Sequence, residues 1–194
     1  MIDPRFVVIG ALLNLWGSIS YVISTIQGKT RPNRVTWFLW ALAPLIAFSA
    51  QISSGVRYEA VMTLMVGLGP LMIFIASFVN AKAYWKIGTF DIACGVFSVL
   101  AIVLWQLSGS AIWAIVFSIL ADILAGIPTI VKSYKAPETE NSIVFRNGAI
   151  SAGITLLAVQ VWNVANYAFA VYILLMCVLL YCLIRFRIGP RLKS

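Results

Sequence analysis

Six carboxylates are all the acid this chain of 194 residues carries, and Asp122 stands near the middle of the apolar run Ser110–Val131. A charged side chain at such a depth in hydrocarbon costs at least ~2.5–3.5 kcal/mol, so it seldom faces lipid. Two chemistries suit it: a carboxylate that takes up a proton or holds a solute in a central cavity, or a polar contact that holds helices together. Catalysis is a poorer fit. Histidine is absent, the three cysteines (Cys94, Cys177 and Cys182) all fall in apolar runs, and no glycine loop of the phosphate-cradling kind occurs. Neither a zinc site nor a paired-aspartate site can be assembled, so the expectation is no enzyme, no metal and no cofactor.

Other residues could share a site with Asp122. Trp16 and Trp40 offer flat apolar rings, and Asn14, Asn147, Asn163 and Asn166 offer amides. A sugar is held by that combination, stacking under the ring and two-ended hydrogen bonds to hydroxyls; plain helix packing is the alternative. Ser18 lies on the same helical face as Asn14. Glu59 opens an apolar run with Thr63, Gly67 and Pro70 on its face, and is either an outer gate or a carboxylate solvated beside Arg57. Arg146 either pairs with Asp122 or snorkels to the surface. Pro44, Pro70 and Pro128 each remove a helix hydrogen bond and mark gating hinges or static kinks.

The elements that must position these residues follow from composition. Hydrophobic residues make up 62% of the chain and charged ones 10%, with a mean hydropathy of +0.98. A soluble domain has about 45–50% and 25% respectively, so both a soluble domain and a disordered chain are excluded. A spanning helix takes ~20 apolar residues. Seven such segments are read: Phe6–Ile26, Val35–Ile52, Tyr58–Val79, Gly88–Leu107, Ser110–Val131, Ile143–Val161 and Val164–Ile184. Continuous runs of this length predict helices rather than barrel strands. The first begins without a basic leader or a small-residue cleavage site and is read as a span, not a signal peptide.

Lysine and arginine set the orientation. With seven spans, 12 basic residues fall on the side of the loops Lys29–Arg34, Lys82–Lys86 and Lys132–Arg146 and the C-terminal tail, and 2, Arg5 and Arg57, on the other. Positive charge stays in the cytoplasm, which predicts an outside N-terminus and a cytoplasmic C-terminus, in the plasma or inner membrane. The net charge of +8 is therefore read as a topology signal and not as a nucleic-acid surface.

A repeat runs through the chain. Ser24-Thr25-Ile26, basic residues and Pro32 match Pro128-Thr129-Ile130, basic residues and Pro137, at an offset of 104 from Thr25 to Thr129. The offset sets Asn14 on Ser118, Ser18 on Asp122 and Tyr21 on Ala125; each set forms one helical face of small or polar residues. Thr36 and Ser142 open the following helices. The layout is an all-α membrane protein of two parallel three-helix bundles joined by a linker helix, with residues 1–80, 81–109 and 110–194 as the three parts.

The run Asp122-Ile-Leu-Ala-Gly126-Ile-Pro128, followed by Lys132-Ser-Tyr-Lys135-Ala-Pro137-Glu-Thr-Glu-Asn-Ser142, resembles the second half of the PQ-loop/SWEET transporter superfamily. Tyr21 to Phe38, with Lys29-Thr-Arg-Pro32-Asn-Arg-Val-Thr36, resembles its first half, with Ser24 where that family usually has a helix proline. The resemblance covers nearly the whole chain. It implies alternating access about a site near the membrane midplane. Asp122 would be the acidic residue that proton-coupled amino-acid exporters of the superfamily use at this motif position.

The expected function is thus transport of a small polar solute, sugar-like or amino-acid-like, coupled to protons through Asp122. Partners are that solute and membrane lipid, not nucleic acid; an oligomer is compatible with the composition. The alternative is a non-transporting receptor or cargo-recognition protein on the same seven-helix scaffold. A retinal pigment is excluded, because no lysine lies between Lys135 and Lys193.

Overall fold

A computed structural model describes residues 2–53, 58–109 and 111–192. Among them the chain is all-helical, without strands: α1 (Val7–Ile26), α2 (Arg34–Ser53), α3 (Tyr58–Ala76), α4 (Thr89–Leu107), α5 (Ala111–Lys135), α6 (Ser142–Ala158), α7 (Val164–Arg185) and the single turn α8 (Ile188–Arg191). Four stretches are long and apolar enough to cross a membrane: Pro4–Ile26, Thr89–Leu107, Ile115–Lys135 and Asn166–Arg185. Arg34–Ile46, Val66–Ala76 and Ser142–Ala158 are shorter apolar stretches among the described residues. Only 22–33% of each long stretch is buried, so large apolar side chains such as Leu12, Val96 and Leu175 point outward. A surface of that kind suits lipid and not water.

Three helix ends depart from the expected spans by three or more residues, and α3 is one of them, stopping at Ala76 rather than Val79. α5 runs on from Val131 to Lys135, because lysines suit the negative end of the helix dipole in its last turn. α6 stops at Ala158 rather than Val161, where Val159 turns to an extended conformation.

Local capping fixes the helix starts. Asn33 Oδ1 accepts from the backbone N–H of Val35 and Thr36, at 3.0 and 3.3 Å, at the start of α2. Asn141 Oδ1 accepts from Ile143 N–H at 2.8 Å to open α6. Asp91 Oδ2 reaches back to Gly88 N–H at 2.6 Å to open α4. Each satisfies a donor that the first helical turn leaves free. Gly28, at φ +73°, turns the chain after α1 in a conformation that favours glycine.

α1 packs on α3 and α6, α2 on α3, α4 and α5, α5 on α4 and α7, and α6 on α7. The main core joins Tyr21, Trp37, Ile73, Phe145, Met176 and Leu180, with Tyr21 and Trp37 ring centroids 4.9 Å apart. α1 and α6 approach closely at Gly17, where an added Cβ would lie 3.0 Å from Val144 Cα. Small residues at such crossings let helices pack in lipid, where no hydrophobic force draws them together.

Candidate functional site

A cavity of about 470 Å³ lies among α1 to α7 in the half of the bundle that carries the N-terminus. Asp122 lines its wall with Asn14, Ser98, Ser118, Ser151 and Thr155. Apolar lining comes from Trp105, Phe169, Pro44 and others, and no lysine or arginine is among the lining residues. The volume falls at the small end of ligand pockets, which run ~300–1,000 Å³.

Asp122 is held from two helices. Tyr172 of α7 donates its O–H to Asp122 Oδ2 at 2.6 Å. The Trp40 indole N–H of α2 donates to the Asp122 backbone carbonyl at 3.2 Å. Asp122 Oδ1 has no hydrogen-bond partner among the described residues, and the carboxylate is in no ion pair there. Its position at a cavity wall leaves that oxygen to whatever enters.

The other expected site residues divide. Asn14 is in the wall, and Pro44 lines it from α2. Ser18 is buried one turn further along α1, where its Oγ donates to the Asn14 carbonyl at 3.1 Å. Trp40 stands behind Asp122. Pro70 and Pro128 both lie inside helices. Glu59 begins α3, but its side chain is outside the described residues.

Four residues lie elsewhere. Trp16 is 57% exposed on the outer face of α1, because its position in the helix turns it away from Asn14 and Ser18. Asn147 is buried between α1 and α6, where its Nδ2 donates to the Leu13 carbonyl at 2.9 Å; it ties two helices and is not a cavity-wall residue. Asn166 is exposed in the first turn of α7, and its Nδ2 donates to the Val161 carbonyl at 2.8 Å; it braces the helix entry. Arg146 is exposed and donates to Asn147 Oδ1 at 3.2 Å, with no ion pair to Asp122.

The opposite end of the bundle is closed by polar contacts. Lys132 Nζ and Glu140 Oε1 form an ion pair of 2.7 Å with both side chains fully buried. Tyr21 of α1 donates its O–H to Glu140 Oε2 at 2.5 Å, and the Lys132 ammonium also donates to the Arg31 carbonyl. The Trp85 ring lies 5.1 Å from the same ammonium, within reach of a cation–π contact. Arg31 N–H donates to the Thr139 carbonyl at 2.9 Å, joining the loop after α1 to the loop after α5. Asn141 Nδ2 reaches Ser24 Oγ of α1 at 3.0 Å, and Thr129 of α5 donates to Thr36 of α2 at 3.0 Å.

Tyr172 has no place in the expected site, and neither do Tyr21, Lys132 and Glu140, which enter the sequence reading only as a repeat position, a topology charge and members of the quoted motif runs. Glu140 carried a faint signal: with Glu138 it is one of two acids in a loop that follows Lys132 and Lys135. Tyr172 gives no signal, since an aromatic in an apolar helix reads as packing. Comparison with known proteins finds no matching family model, no matching curated protein and no matching solved structure.

Proposed function

We propose that the chain is an alternating-access transporter of a small polar solute, built on the PQ-loop/SWEET plan. The single observation that carries this reading is the pairing of a largely apolar cavity, with Asp122 and a few hydroxyl and amide groups in its wall, with a sealed opposite end. A solute site closed off from one side by a polar seal fits one state of an alternating-access cycle.

The helix contacts support the parallel repeat. Exchange of α1, α2 and α3 with α5, α6 and α7 maps α1–α3 onto α5–α7, α2–α3 onto α6–α7, and α1–α6 onto α2–α5; all six contacts occur. Thr25 and Thr129, matched by the offset, are both fully buried. In this reading α4 is the linker helix, the seven long helices all cross, and the basic loops lie in the cytoplasm. The sealed end is then the cytoplasmic gate. A buried ion pair adds little net stability over apolar side chains, but its charges regain water when the end opens, which keeps the two states close in energy.

Among the described residues Asp122 is the one carboxylate of the cavity wall, with Asn14, Ser118, Ser151 and Thr155 as hydroxyl and amide groups in the same wall. A wall with one acid and no base suits a solute bearing an amine, or a neutral hydroxylated solute carried with a proton. The test is uptake of labelled sugars and amino acids into vesicles holding the purified chain, with and without a proton gradient. Asp122→Asn keeps size and removes the titratable group, so it abolishes the gradient response while folding normally. Binding without flux for every solute would favour the receptor reading instead.

A further inference from the structure

A second cavity, of about 740 Å³, shares Leu39 with the first and is a lateral groove among α2, α3 and α4. Its wall is almost wholly apolar, from Phe38, Phe74, Phe78, Val96, Val99 and Leu100. Phe38, Phe78, Val96 and Leu100 are each more than 40% exposed, so the groove is open along its side. Arg34 lines its one charged end.

The length of the groove limits its occupant. Along α4 the lining runs from Ile92 to Leu100, which at 1.5 Å per residue is about 12 Å. Half of a ~30 Å hydrocarbon core is about 15 Å. A partner helix crossing the membrane would need about twice that length. The groove matches the depth of a single leaflet, and therefore an acyl chain.

The charged end identifies the headgroup. The Arg34 guanidinium is aimed, not free to swing: Nε donates to Ser77 Oγ at 3.0 Å, Nη2 to the Ser77 carbonyl at 2.7 Å, and the group sits 4.0 Å from the Phe78 ring centre. Nη1 has no partner among the described residues, and Arg34 is in no ion pair there. The nearby Asp91 has both oxygens occupied, by Asn33 Nδ2 at 2.9 Å and Gly88 N–H at 2.6 Å. Lys86 is exposed next to Ile87 of the groove wall, and Lys82 is exposed in the same loop. A fixed guanidinium fork with a donor to spare, flanked by lysines, is suited to a phosphate.

We propose that this groove seats one acyl chain of an anionic phospholipid, with its phosphate on Arg34 and its headgroup beside Lys86. The lipid belongs to the leaflet on the side of the basic loops, where anionic lipid and juxtamembrane lysines attract one another. It would fill the gap beside α4 and tie the cytoplasmic end of α2 to α3 and α4. The proposal is independent of transport.

The test uses the full chain, purified in detergent, stripped of lipid and given dioleoyl phosphatidylglycerol or dioleoyl phosphatidylcholine, with bound lipid counted by native mass spectrometry. The parent should retain phosphatidylglycerol about tenfold over phosphatidylcholine, whose choline ammonium is repelled by Arg34 and Lys86 although its phosphate is the same. Arg34→Gln should lower retention of both lipids and narrow the gap between them. Val96→Trp fills the groove without touching Arg34 and should lower retention of both. Should Arg34→Gln fail to fold, Lys86→Gln, an exposed change, should still narrow the preference. Equal retention of both lipids by the parent would overturn the proposal. So would a preference that survives these variants, or a Val96→Trp protein that changes oligomeric state with its lipid unaltered.

Discussion

The two ends of the bundle handle polar groups in opposite ways. At the end of the basic loops most buried polar groups have a protein partner, Lys132 with Glu140, Glu140 with Tyr21, Asn141 with Ser24 and Thr129 with Thr36, while Ser133 Oγ and the Trp37 indole N–H have none among the described residues. Around Asp122, in the other half, a few polar groups face a largely apolar space, and Asp122 Oδ1 has no protein partner among the described residues. Saturated networks specify one packing and unsaturated walls await a ligand. The same two helices, α1 and α5, contribute to both ends, with Tyr21 and Lys132 at the seal and Asn14 and Asp122 at the cavity. A rigid-body tilt of either helix would therefore act on both.

The comparison breaks most severely at the seal. Glu140→Gln leaves the Lys132 charge buried without its partner, and should cost about 3–5 kcal/mol in thermal unfolding in detergent. The double change Lys132→Met with Glu140→Leu should recover most of that loss, since apolar side chains of similar volume replace a buried pair at little cost. A double variant no more stable than Glu140→Gln would show that the network's geometry, not its charge balance, holds the end closed.

The next effect is steric. Gly17→Ala sets a Cβ 3.0 Å from Val144 Cα and 3.2 Å from Asn147 Cβ. It should lower stability by about 1–3 kcal/mol by pushing α1 from α6. Gly153, with nothing within 4 Å of an added Cβ, is the control; alanine there should be neutral or slightly stabilising, because it favours helix.

A smaller effect is expected at Tyr172. Tyr172→Phe removes the hydroxyl that donates to Asp122 and keeps the ring. A lost hydrogen bond to a charged group is worth about 1.5–3 kcal/mol when its acceptor stays dry, and less where water reaches it. Since Asp122 lines a cavity, the stability loss should fall below about 1.5 kcal/mol. The variant should alter solute affinity more than unfolding temperature. Trp16→Ala, on the outer face, should change neither appreciably.

Much of this was legible in the sequence, for reasons that differ from residue to residue. Apolar length alone marked the helices, so the expected starts of the Tyr58 and Val164 segments coincide with α3 and α7. Asp122 was legible because a charge in a greasy run needs an explanation. Trp16 and Asn166 were misplaced because residue type suggests a ring or an amide without saying which way a helix face is turned. Trp16 follows Asn14 by two positions, which rotates it toward the opposite side. Asn147 was misjudged for another reason: a buried amide between close helices serves packing as well as binding. The seal was invisible because Lys132 and Glu140 each read as a loop charge, and only the fold of the loop after α5 brings them together.

The most direct measurement of the two-ended account is sidedness of chemical access. Cys94, Cys177 and Cys182 are replaced by alanine, single cysteines are set at Ser118 in the cavity wall and at Ser133 in the fully buried end, and a membrane-impermeant maleimide is added from either side of oriented vesicles. The account predicts that the cysteine at position 118 reacts from the side of the N-terminus and not from the side of the basic loops, while that at position 133 is protected from both. Reaction at position 118 from the basic-loop side, or free reaction at position 133, would contradict it.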